Sequence, residues 1–156
     1  MKFENLSRGE LIASVGGILL AIAVFVGWYG TSANPNSNIN GHHGGSHGGT
    51  FSAWDVHPIL RWLMLAAAVA PLILAYIIVR EHELSWPRGQ VTSIVAIAAL
   101  GLLFYTGIVE HPGDPSATIS LQVGWFLAML GAGLMLAGSF MRQAETEAVR
   151  KPPGVV

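Results

Sequence analysis

The sequence predicts an all-α polytopic membrane protein, a bundle of four transmembrane helices with both termini in the cytoplasm. Four apolar runs reach the length of about 20 residues that a helix needs to cross a bilayer core. Nearly all formally charged side chains lie outside these runs, and the basic ones are concentrated on one side of the predicted bilayer. The four runs are Leu11–Tyr29, Ile59–Val79, Val91–Val109 and Leu121–Met141.

The composition excludes several other classes of protein. Of the 156 residues, 52% are hydrophobic and 11% are charged, whereas about 25% are charged in an ordinary soluble domain. Such a chain is too apolar for a disordered protein, and its formal net charge of -1 gives no basic surface for nucleic acid. Because the chain contains no cysteine, disulfides, thiolate catalysis and iron–sulfur clusters are excluded.

The first run, Leu11–Tyr29, is predicted to follow a helix N-cap. Ser7 and Glu10 have the spacing of a capping box, in which each side chain bonds the backbone N–H of the other residue. Basic residues precede this run, so a secretory signal peptide is an alternative. The run is longer than the roughly 7–15 apolar residues of a signal peptide, and Glu4 and Glu10 interrupt the basic segment. We therefore expect a retained membrane helix.

Residues 31–57 are predicted to form an outer loop between the first two helices. Asparagine dominates its first part, and glycine and histidine dominate residues 41–49. These polar, turn-forming residues favour local hydrogen bonds over regular structure. At the end of the loop, Asp55 is a candidate helix cap and Pro58 suits a first helical turn. Pro71 is expected to kink the second helix.

The third and fourth helices have their own start signals. Ser85 and Pro87 predict a cap and a first turn for the third helix. The Pro-Gly-Asp-Pro sequence at 112–115 predicts a tight turn before the fourth. With no repeat or second domain in the sequence, we expect one transmembrane domain over residues 1–145 and a cytoplasmic tail over 146–156.

The basic residues predict the orientation in the cell membrane. Arg61 alone falls on the side of the His-rich loop, which the positive-inside rule therefore places outside the cytoplasm. Trp28, Trp62 and Trp125 then cluster at the outer interface as an aromatic belt. The seven basic residues on the side of the termini are Lys2, Arg8, Arg80, Arg88, Arg142, Arg150 and Lys151.

Small residues spaced four apart mark two helix faces suited to close packing, which is how helices associate in lipid. One interpretation is that these faces pack the four helices against one another. The other is that a face, best of all that of the fourth helix, docks another subunit or a copy of the same chain. The faces comprise Ala13, Gly17 and Ala21 on the first helix and Gly124, Ala128 and Ala132 on the fourth.

The predicted membrane interior lacks functional polar groups. No Asp, Glu, His or Lys falls in the middle of any apolar run, and such residues mark ion pathways and proton relays. This excludes a pump, a proton-coupled transporter and a haem or metal enzyme with its site in the membrane. Because no catalytic set of side chains converges elsewhere, we expect no enzymatic activity and no organic cofactor.

The outer loop contains a candidate metal site. Imidazole binds zinc, copper and nickel, and His-rich tracts are a compositional signal for metal binding. The alternatives are a solvated, mobile linker and a loop ordered by contact with a partner, because the spacing matches no defined zinc motif. The candidate ligands are His42, His43 and His47, with Asp55 and His57 to complete the shell.

The first half of the chain contains three short motifs: Arg8-Gly9-Glu10, then Trp28-Tyr29-Gly30, then Ala53-Trp54-Asp55. Together they resemble a loosely defined set of small four-helix membrane proteins of actinobacteria. The resemblance implies a four-helix topology and a bacterial source, and it implies no activity. The stretch of His and Gly in the outer loop departs from that pattern.

The expected function is that of a non-catalytic accessory or structural subunit of a larger membrane assembly. Its partners would be the lipid bilayer and other membrane subunits or copies of itself. Two alternatives stay open. One is an extracytoplasmic protein that binds zinc, copper or nickel through the His-rich loop. The other is a small oligomeric channel with Ser and Thr side chains lining its pore.

Overall fold

The computed structural model describes residues 6–32, 36–82, 89–114 and 118–150, with the backbone alone for the last five. The predicted start of the third helix at Ser85 and Pro87 and residues 151–156 of the predicted tail lie outside these ranges. Within them the chain is mostly helical, and three helices are long and apolar enough to cross a membrane.

These three helices coincide closely with the last three predicted runs. The segments that meet the length and composition of a membrane span are Leu60–Val79, Gln90–Val109 and Val123–Glu145. The helices in chain order are α1 at Arg8–Ala23, a short α2 at Ala53–Val56, α3 at Leu60–Val79, α4 at Gln90–Phe104 and α5 at Val123–Arg150. After α4 the chain continues as a π-helical turn, Tyr105–Val109.

The first helix, α1, is shorter than predicted. Its start is as expected: the Ser7 hydroxyl accepts a hydrogen bond from the Glu10 N–H, and the Glu10 carboxylate accepts one from the Ser7 N–H, so the capping box is confirmed. The helix ends at Ala23 after 16 residues, or about 24 Å against the roughly 30 Å of a hydrocarbon core. The prediction of one helix over 11–29 is therefore wrong at its end, where the apolar run becomes strand β1, Gly27–Thr31.

Strand β1 forms because segments distant in sequence supply partners for both of its edges. It is the central strand of an antiparallel sheet, between β4 at Gly49–Ser52 and β5 at Ile119–Leu121. Its aromatic residues Trp28 and Tyr29 are fully buried, and aromatic residues are enriched in strands. An apolar run does not by itself distinguish a helix from a buried strand.

A second, two-stranded sheet orders the Asn-rich part of the predicted loop. It consists of β2 at Asn38–Ile39 and β3 at His42–His43. Asn40 and Gly41 make the turn with φ of 48° and 90°, the left-handed region that Asn-Gly hairpin turns require. We call the two sheets and α2 the β-cap. In its described part, the predicted loop is thus a folded layer over one end of the bundle.

The helices approach one another through glycine. A Cβ atom on Gly9 would lie 2.5 Å from the carbonyl oxygen of Gly138, and one on Gly16 would lie 2.5 Å from that of Gly131. These contacts bring α1 against α5, and α1 also packs on α3. Helix α4 packs on α5 and α3. Such backbone approach is typical of helix association in membranes.

The outer surface of the bundle is apolar and its interior consists mainly of small side chains. Ala68, Ala96, Ala128 and Ala132 are almost completely buried. Large apolar side chains point outward from all four long helices, α1 included. In water such a surface would be unfavourable, whereas in lipid tails it is matched to its surroundings. Examples are Val15, Ile22, Ile73, Ile94, Ile97, Phe126 and Leu130.

Candidate functional site in the β-cap

All five side chains predicted as metal ligands belong to the β-cap or its junction with α3. His42 and His43 are exposed on β3, and His47 is exposed in the turn before β4, while Asp55 lies in α2 and His57 directly follows it. The His42 Nε2 lies 3.2 Å from the backbone oxygen of Asp55, and that contact does not involve the carboxylate. Across the described part of the chain, no three or more His, Asp or Glu side chains are grouped to hold a metal ion.

The Asp55 carboxylate is engaged in a second capping box. Its Oδ2 accepts hydrogen bonds from the Ser52 hydroxyl at 2.6 Å and the Ser52 N–H at 3.1 Å, and the Ser52 hydroxyl accepts one from the Asp55 N–H. Ser52 is therefore the N-cap of α2. The predicted role of Asp55 as the cap of the second transmembrane helix is wrong, because α3 begins after Ile59 with no side-chain cap. The hydrogen bond from the Ser52 hydroxyl is the main reason that the pKa of Asp55 is lowered. A metal would compete with this cap for the carboxylate.

A hydrogen bond between Tyr29 and His57 joins β1 to the start of α3. The Tyr29 Oη lies 2.9 Å from the His57 Nε2 and 3.3 Å from the carbonyl oxygen of Thr106, to which it donates. The hydroxyl has one proton and a carbonyl only accepts, so this geometry fits a His57 that carries its proton on Nε2 and donates it to Tyr29. One hydroxyl thereby connects the β-cap, the α2–α3 junction and the π-helical turn after α4.

Burial keeps both members of this pair neutral. It lowers the pKa of His57 from 6.5 to about 4. It raises the pKa of Tyr29 from 10.0 to about 12, against the smaller opposite effect of the hydrogen bond to Thr106. A general acid or base at neutral pH needs a pKa near 7. Both shifts lead away from that value, so the pair is suited to fastening the β-cap rather than to proton transfer.

An open polar depression of about 580 Å³ lies beside the hairpin of β2 and β3. Its ionisable lining residues are His43, a predicted metal ligand, and Asp114, which the sequence analysis did not single out. Two backbone hydrogen bonds of 2.9 Å, between Asn38 and Asp114, bring the two segments together. The remaining lining residues are Asn36, Asn38, Asn40, Gly41 and Gly113.

The six small residues predicted as contact faces lie within the packing of this chain. Ala21 is partly buried, and the other five, Ala13, Gly17, Gly124, Ala128 and Ala132, are buried. A Cβ atom on Gly17 would lie 2.4 Å from the Ala68 carbonyl oxygen of α3, and one on Gly124 would lie 2.6 Å from the Gly27 carbonyl oxygen of β1. Gly17 and Gly124 therefore lie against other parts of the same chain.

Two polar contacts escaped the sequence analysis because they join distant segments. The Tyr29–His57 bond spans 28 positions, and the Trp28-Tyr29-Gly30 motif gave no signal for His57 as a partner. At the other end of the bundle, the Arg142 Nε lies 3.0 Å from the Glu10 Oε1, and the Glu10 side chain is almost fully buried. The capping box identified Glu10 but gave no signal for Arg142.

The chain was also compared with known proteins. No family model, curated protein or solved structure matches it.

Proposed function

We propose that the protein is a non-catalytic accessory or structural subunit of a larger integral-membrane assembly. In this proposal α1, α3, α4 and α5 form a four-span bundle in the cell membrane, with both termini in the cytoplasm and the β-cap outside. The partners are the lipid bilayer and transmembrane helices of other subunits or of further copies of the chain.

The surface of α1 supports its inclusion among the spans. Backbone hydrogen bonds continue past the helix through residues 24–26, which adds about 4 Å to its length. The side chains on its outer face are large, apolar and exposed, as lipid contact favours. They are Leu11, Val15, Ile18, Ile22 and Phe25.

The distribution of basic residues supports the orientation. Arg8 begins α1, Arg80 follows α3 and Arg142 lies near the end of α5, all at the end of the bundle opposite the β-cap. Arg61 hydrogen-bonds the backbone of the β-cap at the other end. Under the positive-inside rule, the end with more basic residues faces the cytoplasm.

The observation that carries the proposal is an open apolar groove between α3 and α4. It has a volume of about 250 Å³, and four of its lining residues are alanines: Ala66, Ala67, Ala98 and Ala99. Ala66 and Ala98 are exposed, and on α4 a Cβ atom at the exposed Gly101 would meet nothing within 4 Å. Small residues that the bundle does not use internally allow the helix of a partner to approach closely.

The test is native mass spectrometry after gentle extraction from the source membrane, with Ala98→Phe as the variant. We expect wild type to carry stoichiometric partner chains and Ala98→Phe to lose them, because the larger ring fills the groove. Val15→Phe is the matched control, since Val15 is 57% exposed on α1, away from the groove. A lone wild-type chain, or equal loss in both variants, would contradict the proposal.

The two alternative functions make other demands on the chain. Metal binding would need the five predicted ligands to come together, whereas in the structure the Nε2 atoms of His42 and His57 are engaged with the Asp55 backbone oxygen and the Tyr29 hydroxyl. A channel would need several copies, since the buried Ser93 and Ser139 hydroxyls bond helix carbonyls of their own chain. A ring of identical chains in the mass spectrum would favour the channel.

A further inference from the structure

Arg61 holds an isolated positive charge at the β-cap end of the bundle. It lies in the first turn of α3, and the other described arginine side chains, Arg8, Arg80 and Arg142, are at the opposite end. Helix α3 has 20 residues, about 30 Å, which equals the thickness of a hydrocarbon core. When α3 spans the bilayer, Arg61 is therefore level with the lipid headgroups.

Two tryptophan rings frame the guanidinium group. The Arg61 Cζ lies 4.5 Å from the ring centroid of Trp54 and 5.8 Å from that of Trp62, distances typical of cation–π contacts. Trp54 in turn packs against Phe25 at the end of α1, with ring centroids 5.1 Å apart. Trp62 is 57% exposed on the outer side of α3. The charge is thus fixed in position at the rim of the lipid-facing surface.

The described residues satisfy only part of the hydrogen-bonding capacity of Arg61. The Nη1 group donates to the Trp54 carbonyl oxygen at 2.8 Å. The Nε–H is buried, and among the described residues it has no hydrogen-bond partner. The nearby carboxylate of Asp55 is held by Ser52. Buried donors without partners are rare in proteins, so this unpaired edge of the guanidinium indicates a ligand that the described part of the chain does not supply.

We propose that Arg61 binds the phosphate of a phospholipid headgroup. The Nε–H and the adjacent Nη2 group donate to two phosphate oxygens, a bidentate arrangement that suits the planar guanidinium. Because the Nε–H is buried, this binding requires a neighbouring side chain to move, and we assign that movement to the exposed Trp62. Below the headgroup, the acyl chains run along Leu65 and Val69, which follow Arg61 at intervals of four and so share its face of α3. Val69 is 44% exposed.

The test compares three additives on purified, delipidated protein in a neutral detergent: phosphatidylglycerol, diacylglycerol with the same acyl chains, and inorganic phosphate. We expect phosphatidylglycerol to raise the unfolding temperature of wild type and to remain bound in native mass spectra. Diacylglycerol and inorganic phosphate should do neither. For Arg61→Gln we expect the apparent affinity for phosphatidylglycerol to fall by about 10- to 100-fold, the effect of losing charge-assisted hydrogen bonds.

Two further variants separate this site from general attraction to lipid. Arg80→Gln removes an arginine that lies over the Tyr76 ring at the other end and should keep the wild-type affinity. Arg61→Lys retains the positive charge but lacks the planar guanidinium group. Its affinity for phosphatidylglycerol should lie between those of wild type and Arg61→Gln. Equal effects of diacylglycerol and phosphatidylglycerol, or an effect of inorganic phosphate alone, would overturn the proposal. If Arg61→Gln does not fold, the comparison of the three additives on wild-type protein tests the proposal.

Discussion

The Tyr29 hydroxyl lies 2.9 Å from the His57 Nε2, and this contact fastens the central strand of the β-cap to the start of α3. The same hydroxyl donates to the carbonyl oxygen of Thr106, in the π-helical turn. π-Helical turns leave backbone groups irregularly placed and often occur at functional positions. The two bonds hold the β-cap to α3 and to the turn after α4 at one buried point. A substitution at this point should therefore destabilise the whole β-cap.

The first prediction concerns pH. The pKa of His57 falls from 6.5 to about 4 on folding, so between these values the unfolded chain binds more protons than the folded one. The free energy of unfolding should therefore be highest above pH 6.5 and fall as the pH drops towards 4, by on the order of 2–3 kcal/mol. Chemical unfolding followed by tryptophan fluorescence measures this.

His57→Gln tests whether His57 is responsible. This variant has no titrating ring, so its stability should change little over the same range, whereas His82→Gln, at an exposed position, should behave like wild type. The lowered pKa of Asp55 contributes only below its ordinary value of 3.8, in a separate, more acidic range. An undiminished acid loss in His57→Gln would refute the assignment.

The second prediction is that Tyr29→Phe destabilises the protein by about 1–3 kcal/mol. The substitution removes one hydroxyl and leaves the buried His57 nitrogen without its partner, which costs more than the loss of an exposed hydrogen bond. Tyr76→Phe is the matched control, because Tyr76 is 57% exposed on α3. Equal midpoints of urea unfolding for the two variants would show that the buried bond contributes nothing.

The sequence predicted the elements whose signals are local. Apolar length located α3, α4 and α5, and the spacing of Ser7 and Glu10 identified the start of α1. The end of α1 was missed because the residues after Ala23 are also apolar, and an apolar run is compatible with a helix or with a buried strand. What selects the strand is its pairing with Phe51 and Leu121, and pairing between distant segments leaves no periodicity in the run itself.

The site was harder to predict than the fold for a related reason. Histidine-rich composition drew attention to His42, His43 and His47, all of which are exposed. The histidine with a buried contact, His57, stands apart from them, and its partner Tyr29 was assigned to a helix end. Composition reports which groups are present, whereas the contact depends on where the β-cap places them.

The third prediction uses two glycines on one helix. In Gly131→Ala the new Cβ atom would lie 2.7 Å from the Leu20 nitrogen and 2.8 Å from the Gly16 carbonyl oxygen, so α1 and α5 must separate. We expect a loss of about 1–3 kcal/mol. In Gly133→Ala the Cβ atom meets nothing within 4 Å, and the higher helix propensity of alanine should leave stability equal or raised by up to about 1 kcal/mol. Thermal unfolding in detergent distinguishes the two variants. Similar losses of stability in both would mean that α1 and α5 are not in close contact.

The last prediction concerns the ion pair at the end of the bundle opposite the β-cap. Glu10→Gln keeps an oxygen to accept the Ser7 N–H but removes the negative charge 3.0 Å from the Arg142 Nε. Because the Glu10 side chain is 3% exposed, we expect a loss of about 1–3 kcal/mol. Glu145 also approaches Arg142, at 3.7 Å, but is 44% exposed, and Glu145→Gln should cost about 0–0.5 kcal/mol.

Salt should increase the difference between the Glu10–Arg142 and Glu145–Arg142 pairs, because it screens exposed charges much more than buried ones. The cost of Glu10→Gln should therefore persist at about 1 M salt, while any cost of Glu145→Gln should vanish. Unfolding measured at low and high salt provides the comparison. If the two substitutions cost the same amount and both effects disappear in salt, Glu10 is solvated, and its contact with Arg142 does not hold α1 to α5.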